Sequence, residues 1–135
     1  MGGVTVSPNP ELSAEDFFVK TVTAEDVRHG LETSDKLVVI DTAAKKVYED
    51  CHIIGAINIP LEDLNEGVEG IGRDTPIILY CATNKCPRST KAAQLLKQRG
   101  YVDVAVYQGG MRDWYNLQHP YDGPADRPYL KSKAK

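Results

Sequence analysis

The sequence predicts an α/β fold in a single domain, with a mostly parallel central sheet flanked by helices on both faces. Three observations predict it. Short apolar runs punctuate the chain: Leu37-Val38-Val39-Ile40, Ala56-Ile57-Asn58-Ile59 and Pro76-Ile77-Ile78-Leu79-Tyr80. Continuous runs of this length suit strands buried on both faces. Helical patterns separate them, and strand–helix alternation is the signature of a parallel sheet covered by helices. Finally, 135 residues suit one domain, and a 41% hydrophobic content builds a core without a disulfide or metal staple.

The elements follow in order. Residues 1–10 carry two prolines, two glycines and little apolar content, so residues 1–17 read as an N-terminal extension. Thr23 opens a helix, with Asp26 completing a weak capping box and Val27 and Leu31 on one face. The run Leu37–Ile40 is a strand ending at Asp41. Lys45 to Asp50 is a short helix, and Ala56–Ile59 is a strand stopped by Pro60. Residues 61–65 make a helical turn. Gly67, Gly70 and Gly72 then form a loop whose spacing does not fit a dinucleotide fingerprint. The strand Pro76–Tyr80 runs straight into Cys81. Ser89 to Arg99 is a helix with Ala92, Leu95, Leu96 and Arg99 on one face and Gly100 as its stop. Val102–Tyr107 is a fourth strand. Gln108-Gly109-Gly110 turns the chain into a final helix, Met111–Leu117, with Trp114 in the core. Pro120, Pro124, Pro128 and the lysines at 131, 133 and 135 mark residues 120–135 as a C-terminal extension, leaving 18–119 as the domain.

The composition narrows the function. A net charge of −3 argues against a dedicated nucleic-acid binder. No apolar run approaches the length of a membrane span, and the first residues lack the basic and apolar regions of a signal peptide. Three cysteines, an odd number, do not form a disulfide framework. The expectation is a cytoplasmic protein, with no nucleic-acid or membrane partner and with thiols available for chemistry.

Cys81 is the leading functional residue because of its place. Functional crevices of such sheets lie at the carboxyl ends of the strands, and Cys81 sits at one. The following loop, Ala82, Thr83, Asn84, Lys85, Cys86, Pro87, Arg88 and Ser89, leads into a helix. Loop amides and the free N–H groups of the first helical turn can form an anion-binding nest. A thiol there drops from its usual pKa of about 8.5 to roughly 3.5–7.5. Lys85 and Arg88 add positive charge. The opposing reading is a buried, inert cysteine.

At this point the chain resembles a known family, the single-domain rhodanese-like sulfurtransferases. Leu37-Val38-Val39-Ile40-Asp41 is similar to that family's strand ending in Asp, and Cys51 to Pro60 to its Gly-His-Ile-Pro-Gly-Ala-Ile-Asn-Ile-Pro signature. Ile78-Leu79-Tyr80-Cys81 resembles the strand that delivers its catalytic cysteine, and Ser89 to Tyr101 the helix that follows. Tyr107 to Trp114 resembles its closing Gly-Gly-x-x-x-Trp. The resemblance implies a sulfurtransferase. Cys81 would take sulfane sulfur from thiosulfate or a low-molecular-weight persulfide, hold it as a persulfide, and pass it to cyanide, glutathione or a protein thiol. It implies no metal or organic cofactor, and Ala82 to Ser89 as the substrate-binding loop.

The departures are informative. Arg88 and Ser89 fall seven and eight residues after Cys81, where many members have Arg-Ser at five and six. The related dual-specificity phosphatases and arsenate reductases use Cys-x5-Arg, and Pro87 occupies that arginine position here. Ala43, Cys51 and Ile54 replace the family's Arg, Gly and Pro. A rhodanese-fold sulfur-carrier or interaction module with weak turnover is the alternative function, and a Cdc25-like phosphatase or arsenate reductase, disfavoured by the misplaced arginine, is the lesser one.

Other residues keep two readings. Cys86 is either a redox partner of Cys81, if the loop brings the Cα atoms to roughly 4.4–6.8 Å, or a loop residue facing away. Cys51-His52 beside Cys81 and Cys86 admits a zinc reading, but adjacent residues seldom reach one tetrahedral ion. His52 is expected to be a structural hydrogen-bonding residue. Asp41 is expected to accept backbone N–H groups at its strand end. Lys85 and Arg88 either recognise an anionic donor or are solvated loop charges.

Overall fold

The computed structural model describes residues 19–131. In chain order the elements are β1 (Lys20–Val22), α1 (Ala24–Thr33), β2 (Val38–Asp41), α2 (Lys45–Asp50), β3 (His52–Ile53), β4 (Ile57–Asn58), α3 (Leu64–Gly67), β5 (Ile77–Tyr80), α4 (Arg88–Gln98), β6 (Val104–Tyr107), α5 (Gly110–Asn116) and β7 (Tyr121–Asp122). Single 3₁₀ turns at Leu61–Asp63 and Pro128–Lys131 complete them. Five strands form one sheet in the order β1-β6-β5-β2-β4, every neighbouring pair parallel.

The apolar runs dictate this order. All four residues of β5 and of β6 are buried, as befits inner strands covered on both sides. Successive side chains alternate between faces. Val39, Ile78, Tyr80, Ala105 and Tyr107 pack with Val27 of α1, Met111 and Trp114 of α5, and Leu130. Ile40, Ile77, Leu79, Val104 and Val106 pack on the other face with Ala92, Ala93 and Leu96 of α4 and Leu64 of α3. Helices therefore cover both faces. Each fully buried aliphatic side chain contributes about 1.5–3 kcal/mol, and these two layers hold the strand ends in register.

The capping box at α1 is present: the Thr23 hydroxyl accepts from the Asp26 N–H at 3.1 Å and the Asp26 carboxylate accepts from the Thr23 N–H at 2.9 Å. In α4 the buried residues are Ser89, Ala92, Ala93 and Leu96, while Leu95 is exposed. The buried stripe thus lies one position round the helix from the expected Ala92-Leu95-Leu96-Arg99 face. The strand expected over Ala56–Ile59 contracts to Ile57–Asn58.

Two features depart further from the sequence reading. The edge strand β1 precedes α1 and pairs with β6. The segment from 120 onward, read as an extension, packs on the domain: β7 pairs antiparallel with β3, and Leu130 is fully buried. Asp50 anchors it, accepting from the N–H groups of Ala125, Asp126 and Arg127 at 2.7, 2.9 and 3.2 Å. The expected N-terminal extension, residues 1–17, and Lys133 and Lys135 lie outside the described residues.

Candidate active site

β5 delivers Cys81 to the carboxyl edge of the sheet, where the side chain is 3% exposed. The chain then curls through Ala82 to Pro87 into α4. The Cys86 N–H donates to the Thr83 carbonyl at 3.2 Å, closing a turn that brings Cys86 back over Cys81. Cys81 and Cys86 are joined as a disulfide with Cα atoms 6.3 Å apart, inside the range that disulfide geometry requires. Of the two readings of Cys86, the loop residue facing away is not realised: its sulfur meets that of Cys81. Cys51 is the remaining free thiol.

The pairing places the Cys81 sulfur at the head of α4. Cys86 immediately precedes the N-cap residue Pro87, and no backbone acceptor among the described residues takes the amides of Arg88, Ser89 and Thr90. Those unpaired donors and the helix dipole favour negative charge at this end.

A second helix end supports the loop from the other side. Met111 and Arg112 donate their backbone N–H groups to the carbonyls of Cys81 and Ala82 at 2.8 and 2.9 Å. Gly110 makes that approach possible. Its φ is +76°, and a Cβ there would lie 2.7 Å from the Cys81 carbonyl oxygen. The sequence explained Gly109-Gly110 by a tight turn before Trp114; the stricter requirement is this contact with the cysteine's own carbonyl. Trp114 is buried with its indole N–H donating to the Pro120 carbonyl at 2.7 Å, as expected.

The cations are distributed differently from the sequence reading. Arg88 turns away from the loop: Nε donates to the Thr42 carbonyl at 2.9 Å and the guanidinium pairs with Glu62. It ties α4 to the segments after β2 and β4 and is not aimed at an anion beside Cys81. Arg112, which the sequence did not single out, donates to the Asn84 side chain at 3.2 Å, and the Gln108 amide reaches the Asn84 carbonyl at 3.5 Å. Residues on either side of Gly109-Gly110 thus contact the loop at Asn84. Lys85 and Asn84 are exposed at the loop tip, and Ser89 is buried at its base.

The remaining candidates fall into structural roles. Asp41 accepts from the Ala43 N–H at 2.9 Å, the role expected of it. Its burial pushes the carboxyl pKa up to about 6, against the lowering effect of that N–H, the Tyr80 hydroxyl, His52 and Arg88. Tyr80 in turn accepts from the Ile53 N–H at 3.0 Å, linking β5 to β3. His52 stacks on Tyr48 with ring centroids 3.8 Å apart, and its Nδ1 lies 2.8 Å from the Tyr48 carbonyl. Cys51 is fully buried, and burial pushes its thiol up to about 12, so it is no nucleophile. No group of three or more His, Cys, Asp or Glu that could hold a metal occurs among the described residues.

The family model for a rhodanese-like domain matches residues 23–117. The chain belongs to the rhodanese-like family. YqhL of Bacillus subtilis, an uncharacterised protein, is 36% identical over 96 residues, spanning 71% of this chain and 72% of YqhL. The probable adenylyltransferase/sulfurtransferase MoeZ of Mycobacterium tuberculosis is 32% identical over 102 residues, covering 74% of this chain but 26% of MoeZ. The thiosulfate sulfurtransferase GlpE of Coxiella burnetii is 29% identical over 84 residues, 62% of this chain and 76% of GlpE. Among solved structures, the BH2092 protein of Bacillus halodurans superposes with a TM-score of 0.73 at 25% identity, covering 78% of each chain. The rhodanese-like family thus includes sulfurtransferases among this chain's relatives. No helix among the described residues is long and apolar enough to cross a membrane.

Proposed function

We propose that this rhodanese-like protein is a sulfurtransferase that moves sulfane sulfur from thiosulfate or a persulfide donor to a thiophilic acceptor through a persulfide on Cys81. The observation that carries this reading is the position of Cys81: at the end of the buried strand β5, opening the loop that leads into the first turn of α4. Likeness to a thiosulfate sulfurtransferase supports the same chemistry.

The cycle starts from reduced Cys81. Its thiolate attacks the outer sulfur of thiosulfate; the sulfur–sulfur bond of the donor breaks and sulfite leaves with the electron pair. A persulfide donor reacts in the same way and leaves as a thiolate. An acceptor such as cyanide, glutathione or a protein thiolate then attacks the outer sulfur of the Cys81 persulfide, and Cys81 leaves as the thiolate. Preorganised amides stabilise the anion at each stage without reorganising. No step needs a metal, an organic cofactor or a general base, because the attacking and leaving groups are thiolates. The need for a free Cys81 thiol fits a reducing compartment such as the cytoplasm.

A sulfur-carrier reading, in which a partner protein is the main donor or acceptor, gains weight from Arg88. With that guanidinium held by Thr42 and Glu62, Lys85 and Arg112 are the side-chain cations left at the loop for a small dianion.

Cys81→Ser tests the central step. The swap hardly changes volume, so the variant folds, but it abolishes thiocyanate formation from thiosulfate and cyanide because no covalent route remains. Substantial turnover in a clean preparation of this variant would overturn the assignment.

A further inference from the structure

The Cys81–Cys86 pairing assigns a second outlet for the sulfur. We propose that Cys86 is a resolving cysteine that discharges the Cys81 persulfide as sulfide, making the protein a dithiol-dependent sulfane-sulfur reductase as well as a transferase. The proposal rests on the persulfide reading above.

The geometry comes from three features. The Thr83 carbonyl holds the Cys86 N–H at 3.2 Å, the Cα atoms of the two cysteines are 6.3 Å apart, and the sulfurs reach bonding contact. Cys81 itself is 3% exposed, whereas Cys86 is half-buried. An external acceptor must enter the loop to reach the persulfide. Cys86 is already there, and an intramolecular thiolate competes through its effective concentration.

The step balances without an added oxidant. The Cys86 thiolate attacks the inner sulfur, Cys81 Sγ. The bond between Sγ and the outer sulfur breaks, and the outer sulfur leaves with the electron pair as hydrosulfide. The new bond is the Cys81–Cys86 disulfide seen here. The sulfane sulfur is reduced to sulfide and the two cysteines are oxidised. An external dithiol then reduces the disulfide by thiol–disulfide exchange, attacking first at the more exposed Cys86, and restores both thiols. Cys51 plays no part, since it is buried and outside the loop.

A single-turnover experiment tests this. The full chain is reduced, freed of reductant, loaded with sulfur from thiosulfate, and freed of donor. Sulfide release, intact mass and peptide maps are then followed with no thiol or cyanide present. The expected result is loss of the added sulfur as one equivalent of sulfide, with a Cys81–Cys86 linkage left behind. Cys86→Ser and Cys86→Ala, two variants in case one folds poorly, should instead keep the sulfur on Cys81, from which cyanide takes it as thiocyanate. A wild-type persulfide that persists with no linkage would overturn the resolving role while leaving the transferase reading intact. Equal sulfide release from wild type and both variants would do the same. If the reduced wild type never takes up sulfur from thiosulfate or from inorganic polysulfide, the persulfide reading fails and the discharge step fails with it.

Discussion

The Met111 N–H donates to the carbonyl of Cys81 at 2.8 Å, so the start of α5 holds the backbone of the loop that Cys81 opens. Residues thirty positions apart in sequence thereby share one structural task. The Cys81 end of β5 is thus braced by α5. Gly110 is the hinge of this arrangement.

Gly110→Ala is expected to be severe. Alanine at a φ of +76° is strained, and its Cβ would meet the Cys81 carbonyl at 2.7 Å. Urea unfolding should show a loss of about 2–4 kcal/mol. Sulfur loading should fall further than stability explains, because the loop carbonyls lose their register with α5. Wild-type loading in a folded Gly110→Ala protein would show that this brace does not position Cys81.

The two arginines should separate cleanly. Arg88→Ala removes a donor from the buried Thr42 carbonyl and frees Glu62, so it should destabilise by about 1 kcal/mol with little change in KM for thiosulfate. Arg112→Ala removes the guanidinium that reaches Asn84, so KM should rise a few-fold, on the order of 0.5–1 kcal/mol, more than kcat falls. Added salt should mimic the Arg112 effect by screening. The reverse pattern in KM would return the anion-recognising role to Arg88.

Part of this was legible in the chain and part was not. The runs ending at Asp41 and Tyr80 declared two strands, because inner strands of a parallel sheet are apolar on both faces, and the alternating pattern of Val102–Tyr107 declared a third. The position of Cys81 followed from the run before it. Lys20-Thr21-Val22 held no such signal, since three residues with one buried position look like loop until β6 supplies a partner. β3 and β7 were equally silent: two-residue strands whose pairing links His52 to Asp122 have no local pattern. Leu130 was hidden among prolines and charges for the same reason. Arg88 misled because charge and proximity in sequence say nothing of rotamer. Cys86 stayed ambiguous because the loop path, fixed by the Thr83 carbonyl, decides where its sulfur points.

Asp41 gives the stability a pH dependence of known sign. Burial raises its folded-state pKa from 3.8 to about 6. The protonated carboxyl is therefore favoured by folding, and that contribution is complete below about pH 4 and lost as pH rises through about 6. The full difference is on the order of 3 kcal/mol. Asp41→Asn keeps an acceptor for the Ala43 N–H without a charge. Urea unfolding from pH 4 to 7 should show this downward trend in the wild type and its absence in Asp41→Asn, which becomes the more stable protein near pH 7. Parallel curves for the two would mean that Asp41 titrates normally.

Peroxide should meet the cysteine pair as a unit. Oxidation of Cys81 to the sulfenic acid is followed by attack of Cys86, which expels water and forms the disulfide. Lost activity should return with dithiothreitol. In Cys86→Ser the same treatment should give sulfinic acid at Cys81 and irreversible loss. Peptide mapping that finds sulfinic acid in the wild type and no Cys81–Cys86 linkage would contradict the shielding role of Cys86.

The most direct test of the account is the intact mass of the reduced protein after brief exposure to thiosulfate, with excess donor removed at once. The account predicts a gain of a single sulfur, located on Cys81 by peptide mapping and removed by cyanide with formation of thiocyanate. A protein that has neither gained sulfur nor released sulfide, or a sulfur carried on Cys51, would contradict it.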